Sequence, residues 1–326
     1  MKAVVLNKTC KASELKVSEI PKPSIKDGWV LIKVLGFGIN HSEIVLRESE
    51  SNEDYINLPI VPGIECYGIV VDNSNTRFKN DDHVVALMGG MGRNFNGSYE
   101  EYALIPESNV FKISDKIIKK YSKEEISAIP ETFFTAYSSL FDSLKLNDDD
   151  IILIRGASST VGIAAIQLAS KTKAKIIATT RNPVKLESLK KYGATDTLID
   201  DENLIDNIIS LYPGGVTKIL ELIGPKTLNN SFKVLKAGGI LCITGILGGE
   251  ELLNKYDPIK QIPNNRYLTS FFSNYPTQQK IDKIFTYIYQ NDIKPIIAAT
   301  YTLDEISKAH MKTEKNKKLG KIVILN

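Results

Sequence analysis

From Asp148 onward, apolar and polar positions repeat as short apolar runs alternating with longer amphipathic stretches. Ile151–Ile154 is an apolar run, and a small-residue turn follows it, Gly156-Ala157-Ser158-Ser159-Thr160-Val161-Gly162. Val161, Ala164, Ala165, Leu168 and Ala169 then recur at helical spacing, and the chain enters a second β-branched run at Ile176–Thr180. Apolar run, turn, helical period and apolar run together predict a βαβ unit. The alternation continues, with strands predicted at Lys175–Thr179, Asp196–Ile199, Lys218–Leu222, Ile240–Thr244 and Tyr267–Phe272. Helices are predicted between the earlier ones, at Val184–Tyr192, Leu204–Leu211 and Leu228–Val234. The fold class expected is α/β, with a doubly wound parallel sheet of six strands.

The first third of the chain has a different pattern. Lys2–Leu6, Trp29–Leu35, Tyr67–Val71, His83–Met88 and Ser98–Pro106 read as short strands separated by Pro and Gly, with one short helix at His41–Glu48. That predicts a compact β-rich, barrel-like domain. The period changes near Ser122, where Lys123–Ala128 and Thr132–Leu146 look helical. Near the end, a helix is expected from Gln278 to about Gln290, and another begins at a capping box formed by Thr302 and Glu305. Gly320–Asn326 reads as a strand returning to the first domain. The expected division is therefore residues 1–122 with 291–326 as one discontinuous domain, and 123–290 as the other.

The turn at 156–162 has a chemical reading. Gly156 lets the chain leave the strand sharply. Small residues let backbone N–H groups approach a pyrophosphate, whose charge is favoured at a helix N-terminus. The two glycines bracket Ser159 and depart from GxGxxG, so an ordinary strand–helix turn is the competing reading. The end of the next strand, Thr179-Thr180-Arg181-Asn182-Pro183 with Lys185, holds no acid to bind a ribose diol. Arg181 can instead pair with a 2′-phosphate, and Asn182 before Pro183 looks like an N-cap. This favours NADP(H), against the alternative of a solvated basic helix start.

Composition narrows the classes without naming one. With 41 basic and 38 acidic residues among 326, the charge is too balanced to make nucleic acid a main partner. No apolar run is long enough for a membrane span, and the N-terminus carries no signal-peptide pattern, so a cytoplasmic protein is expected. Cys10, Cys66 and Cys242, like His41, His83 and His310, are scattered, so no metal cluster is visible. The Lys312–Lys318 charge run reads as a solvated loop.

The whole chain resembles the medium-chain dehydrogenase/reductase superfamily. The likeness is carried by Gly38-Ile39-Asn40 through Arg47, Pro62-Gly63-Ile64-Glu65 through Gly68-Ile69-Val70, Gly97-Ser98-Tyr99-Glu100-Glu101-Tyr102, Thr135-Ala136-Tyr137, the 156–162 turn and Gly320-Lys321-Ile322-Val323. It implies a Rossmann sheet plus a GroES-like, partly open barrel as catalytic domain. In the zinc alcohol dehydrogenases a Cys ligand stands where this chain has Asn40 and a His ligand where it has Ile64. The resemblance is therefore to the zinc-free, quinone oxidoreductase-like branch, with no metal site and no flavin. It implies NADPH-dependent hydride transfer to a quinone or an α,β-unsaturated carbonyl. An alcohol or carbonyl dehydrogenase, or a non-catalytic NADPH-binding sensor, are the alternatives.

The resemblance assigns roles residue by residue. Asn40 faces nicotinamide and substrate and would donate to a carbonyl oxygen; a turn-stabilising Asn is the competing reading. Ser42 would relay a proton, or serve as an N-cap. Apart from the resemblance, the flexible composition of the Met88–Arg93 loop lets Arg93 reach a substrate or cofactor anion, or face solvent. Glu43 and Arg47, four apart on a helix, would pair. Glu65, acidic within an apolar run, needs a partner if buried. Thr135, Ser158, Ser159, Thr160, Val161, Thr180, Arg181, Lys185, Gly224, Gly245, Ile246, Leu247, Phe271, Phe272, Ser273 and Lys318 would contact the cofactor. A homodimer is expected through the edge strand Tyr267–Phe272.

Overall fold

A computed structural model of the chain describes residues 1–315 and 318–326. It divides into two compact units, Met1–Phe134 with Ser273–Asn326, and Thr135–Phe272. The expected boundaries at 122/123 and 290/291 therefore move. The helix Lys123–Ser127 packs on the strands of the first unit, and the helix Gln278–Gln290 lies beside its strand Val110–Lys112.

The second unit holds six strands: β1 (Ile151–Arg155), β2 (Lys175–Thr180), β3 (Asp196–Ile199), β4 (Val216–Glu221), β5 (Leu235–Ile243) and β6 (Tyr267–Ser270). All pair in parallel, in the order β3-β2-β1-β4-β5-β6. The order reverses direction beside β1, which makes the end of β1 the topological switch point of a Rossmann sheet. Helices Thr160–Ala169, Leu186–Lys191, Leu204–Leu211 and Pro225–Ser231 provide crossovers. Leu153, Ile177 and Ile219 from the sheet pack with Leu204, Ile208, Leu228 and Phe232 in one core. The last strand stops at Ser270 rather than Phe272, and Phe272 is 76% exposed.

The first unit is built on the long strand Trp29–Gly38. Its sheet runs Ile297–Thr302, Lys321–Leu325, Trp29–Gly38, Glu65–Asp72, His83–Leu87, Val110–Lys112, with Tyr102–Pro106 also paired to Trp29–Gly38. Ile297–Thr302 and Val110–Lys112 are strands that the hydropathy pattern does not reveal. The predicted strand Ser98–Pro106 begins only at Tyr102. The C-terminal strand does return here: Val323, Ile324 and Leu325 lie opposite Gly38, Phe37 and Gly36. Its neighbour on the other side places Tyr67 opposite Gly36. This register brings the starts of two remote strands, Glu65 and Lys321, to the end of a third. The expected helix Thr132–Leu146 is instead Pro130–Tyr137 followed by a wider turn at Ser138–Ser143. The Lys312–Lys318 run is not simply a loop, because Ile306–Lys315 is helical; Asn316 and Lys317 lie outside the described residues.

Candidate functional site

In the second unit the turn after β1 has the geometry its residues imply. Gly156 has φ of +78°, a left-handed conformation natural to glycine. A Cβ on Gly162 would sit 2.6 Å from Ala157 Cα, so only glycine allows this helix to start against the turn. Ser159 is the N-cap of Thr160–Ala169: its Oγ accepts from the Gly162 N–H at 3.1 Å and donates to Gly156 O at 2.9 Å. Thr160 and Val161 head the helix, and Ser158 Oγ accepts from Thr180 Oγ1 at 3.2 Å. Across the switch point, Leu247 N–H donates to Leu222 O, and the Leu247 side chain lies beside Gly156. Gly224 and Gly245 are packed so closely that a Cβ on Gly224 would meet Gly245 O at 2.5 Å. Ile246 is half-buried next to them. The cofactor candidates Ser158–Val161, Thr180, Gly224 and Gly245–Leu247 thus gather at the carboxyl ends of β1, β2, β4 and β5.

At the end of β2, Thr180 is buried, Arg181 is exposed and Lys185 is buried, where loss of solvent lowers its pKa. Asn182 caps the turn Pro183–Lys185 as expected, accepting from Val184 N–H at 3.1 Å. An acid does stand beside this strand end, although the segment 179–185 itself holds none. Asp200, just past β3, donates its N–H to Thr180 O and accepts from Thr179 Oγ1 at 2.9 Å. Its carboxylate is held by Arg155, Nε to Oδ2 at 2.9 Å and Nη2 to Oδ1 at 2.8 Å. Arg155 Nη1 donates further to Asn230 Oδ1 and Ser231 Oγ. The Asp200 charge is therefore spent on a buried guanidinium. Thr135 is buried, Phe271 half-buried, and Lys318 exposed. The expected 271–273 segment is split: Ser273 belongs to the first unit, where its Oγ donates to Glu131 Oε1 at 3.4 Å.

In the first unit, four separated segments converge on Asn40. Lys321 is 2% exposed, and its Nζ pairs with Glu65 Oε1 at 2.8 Å, donates to Thr132 Oγ1 at 2.8 Å and donates to Asn40 Oδ1. Asn40 Nδ2 donates to Glu65 Oε1 at 3.0 Å. Glu65, wholly buried, also accepts from the Glu131 N–H through Oε2 at 2.7 Å. Gly38 makes room for this: a Cβ there would fall on the Lys321 stem and 2.8 Å from Glu65 Oε1. Glu43 caps the arrangement, accepting from the N–H groups of Asn40 at 2.8 Å and Ile64 at 3.0 Å. Burial pushes the Glu43 carboxyl up to about 7, against the lowering pull of Lys321. The partner that Glu65 requires is thus Lys321. Sequence reasoning placed Lys321 in a family motif but gave it no role. A lone Lys opening the apolar run Ile322-Val323-Ile324-Leu325 was the available signal.

Three assignments need correction. Asn40, not Ser42, is the N-cap of His41–Glu48. Glu43 and Arg47 do not pair: Arg47, 1% exposed, donates to Cys10 O at 2.6 Å and engages Glu48 and Glu314. Arg93 neither faces solvent nor stands free for an anion. Its guanidinium binds Glu50 through Nε at 2.7 Å and Nη2 at 2.5 Å, and Nη2 donates to Ser42 Oγ at 2.9 Å. Ser42 is therefore tied to that ion pair.

Two family models match the chain, the alcohol dehydrogenase GroES-like domain over residues 26–115 and the zinc-binding dehydrogenase over 160–286. The Homo sapiens quinone oxidoreductase is 29% identical over 299 residues, covering 90% of this chain and 87% of that protein. Together these matches support the quinone oxidoreductase-like family of medium-chain dehydrogenases/reductases. The synaptic vesicle membrane protein VAT-1 homolog of Danio rerio is 25% identical, matching 93% of this chain but 65% of its own length. Among solved structures, the Escherichia coli quinone oxidoreductase complexed with NADPH superposes with a TM-score of 0.86 at 20% identity, each chain covered in full. That likeness establishes the fold, a Rossmann sheet with a GroES-like domain. No group of three or more His, Cys, Asp or Glu side chains among the described residues is placed to hold a metal ion. No helix among them is long and apolar enough to cross a membrane.

Proposed function

We propose that the protein is an NADPH-dependent oxidoreductase that delivers hydride to a quinone or an α,β-unsaturated carbonyl, without zinc or flavin. The observation that carries this reading is the cluster at Asn40. A zinc ion needs thiolate, imidazole or carboxylate donors around an open position. Here the neighbours are a side-chain amide, the Glu65 carboxylate already neutralised by the Lys321 ammonium, and the Glu43 carboxyl, whose oxygens are taken up by the Asn40 and Ile64 N–H groups. This donor set does not fit zinc, despite the name of the matching family model. What it can supply is a fixed amide dipole for a carbonyl oxygen as charge builds on it. Acceptors that become stable enolates or hydroquinones suit such a site, because they need no strong acid.

The glycine turn, whose Gly162 a Cβ would jam against Ala157, fits a pyrophosphate held by the helix starting at Thr160. Exposed Arg181 is the residue assigned to a 2′-phosphate, and pairing of Asp200 with Arg155 removes the acid that would oppose one. When bound, the cofactor supplies the hydride; Asn40 orients and polarises the acceptor. Ser42 Oγ is the hydroxyl assigned to proton relay, and it is oriented by Arg93. We extend the reading to a soluble homodimer paired through β6, an edge strand carrying Tyr267 at 60% exposure. Light scattering at micromolar concentration tests that last point, and a monomer would sink it.

The test of the function is steady-state oxidation of NADPH with 1,2-naphthoquinone and with a simple enone. Turnover with either, insensitive to a chelator, is expected. Tight NADPH binding with no turnover across both acceptor classes would replace the enzyme with a binding protein.

A further inference from the structure

The amide of Asn40 is held in one orientation by two partners of opposite character. Lys321 Nζ can only donate, so the atom it meets must be Oδ1. The Glu65 carboxylate can only accept, so the atom it meets at 3.0 Å must be Nδ2. Neither contact survives a flip of the amide. Lys321, 2% exposed, is itself fixed by Glu65 and Thr132, both at 2.8 Å. Nδ2 carries a second hydrogen, and its remaining neighbours, Gly38 O and Glu43 Oε1, lie at 3.5 Å, at the limit of a hydrogen bond. One N–H of a buried amide is thus left weakly satisfied, on a group whose oxygen is polarised by an ammonium. Polarisation along such a chain makes this weakly held N–H a stronger donor.

We propose that Lys321 is the positioning residue of the site. It fixes and polarises the Asn40 amide, so that the second Nδ2 hydrogen is presented to the acceptor's carbonyl oxygen. This rests on the reductase reading above. Lys321 touches neither substrate nor cofactor in this account; its whole effect passes through Asn40.

That last property gives the test. Lys321→Met leaves Glu65 buried and unpaired and can fail to fold, so the working variant is Lys321→Met with Glu65→Gln, which removes both charges together. In the wild-type background this pair should lower kcat for 1,2-naphthoquinone by about tenfold to a hundredfold, with KM for NADPH within about twofold. In an Asn40→Ala background it should cost less than about twofold more, because the group it serves is gone. Lys321→Arg should restore part of the rate. Costs that multiply across the two backgrounds, or a wild-type kcat in the charge-free variant, would overturn the proposal. If the wild type itself turns over no acceptor, the functional reading fails, and a second readout still decides the network. The Asn40 side-chain NH2 resonances, assigned by their loss in Asn40→Ala, should be sharp and well separated in wild type. They should broaden or merge in the charge-free variant, and unchanged lines would refute orientation by Lys321.

Discussion

Each unit buries a cation against carboxylates, and the two clusters differ in what they leave over. In the second unit, Arg155 spends its donors on Asp200, Asn230 and Ser231, while Glu221 accepts from Ser231 Oγ at 2.5 Å and from Ile223 N–H at 2.9 Å. In the first unit, Lys321 satisfies Glu65 and Asn40 Oδ1, but one Asn40 hydrogen keeps only distant neighbours. A saturated network stabilises its sheet and has nothing to offer a ligand. An almost saturated one, rigid except for a single donor, is what carbonyl polarisation requires.

The sharpest way to break this comparison is to cut the saturated side. Arg155→Met leaves Asp200, whose side chain is 8% exposed, without its partner. A loss of about 3–5 kcal/mol in urea unfolding is expected, while kcat of the folded enzyme should stay within about twofold of wild type. A fall in kcat of about tenfold or more would erase the distinction between a structural and a positioning cluster.

Gly162→Ala comes next. Its Cβ would lie 2.6–2.8 Å from Ala157 backbone atoms, so the helix start must shift away from the turn. NADPH affinity should fall by at least about tenfold, read by fluorescence titration, and full affinity would show that the turn is an ordinary strand–helix connection.

Arg181→Ala addresses the cofactor rather than the fold. Loss of a charge-assisted contact to a 2′-phosphate is worth about 1–3 kcal/mol. NADPH should weaken by roughly tenfold or more while NADH is unchanged. Equal weakening of both nucleotides would move Arg181 off the phosphate.

The legibility of the two clusters in sequence follows from their construction. The turn, its cap Ser159 and the β1–β2 unit are contiguous, and each residue's conformational demand shows in its type. Gly156 and Gly162 could be read directly, whereas the capping role of Ser159 emerges only in the structure. The Asn182 cap and the Thr302–Glu305 capping box were legible for the same reason, and the box closes with Thr302 N–H donating to Glu305 at 3.3 Å. Partners brought together by sheet register could not be read. Glu65 inside an apolar run demanded a partner, but hydropathy does not say that Lys321 lies beside it, nor that Arg155 would silence Asp200. Arg93 was misread because its partner Glu50 sits in a polar loop that local pattern leaves undefined. The strands Val110–Lys112 and Ile297–Thr302 are short or half-exposed, and their pairing neighbours, not their periodicity, make them strands.

The smallest effect concerns a third buried carboxyl in the first unit. Both Glu100 oxygens are buried with no hydrogen-bond partner among the described residues, and burial pushes this carboxyl up to about 8. The folded protein then holds a proton that the unfolded chain has already released above its usual range near 4.5. Stability contributed by the protonated form is present at low pH and falls as pH rises toward about 8. Glu100→Gln should flatten that decline in urea midpoints between pH 5 and pH 8, within roughly that window. A wild-type midpoint that rises with pH there would contradict it, although His310 must be counted separately. Burial lowers its pKa to about 3, so its own contribution grows as pH rises from about 3 to about 6.5 and is complete above that.

The most direct measurement is the rate of NADPH oxidation with 1,2-naphthoquinone, for wild type and Asn40→Ala, with and without a metal chelator. The account predicts turnover by the wild type that a chelator does not change, and a fall of about a hundredfold in kcat on losing the Asn40 amide. No turnover by the wild type, turnover that a chelator abolishes and zinc restores, or an Asn40→Ala variant as fast as wild type would each contradict it.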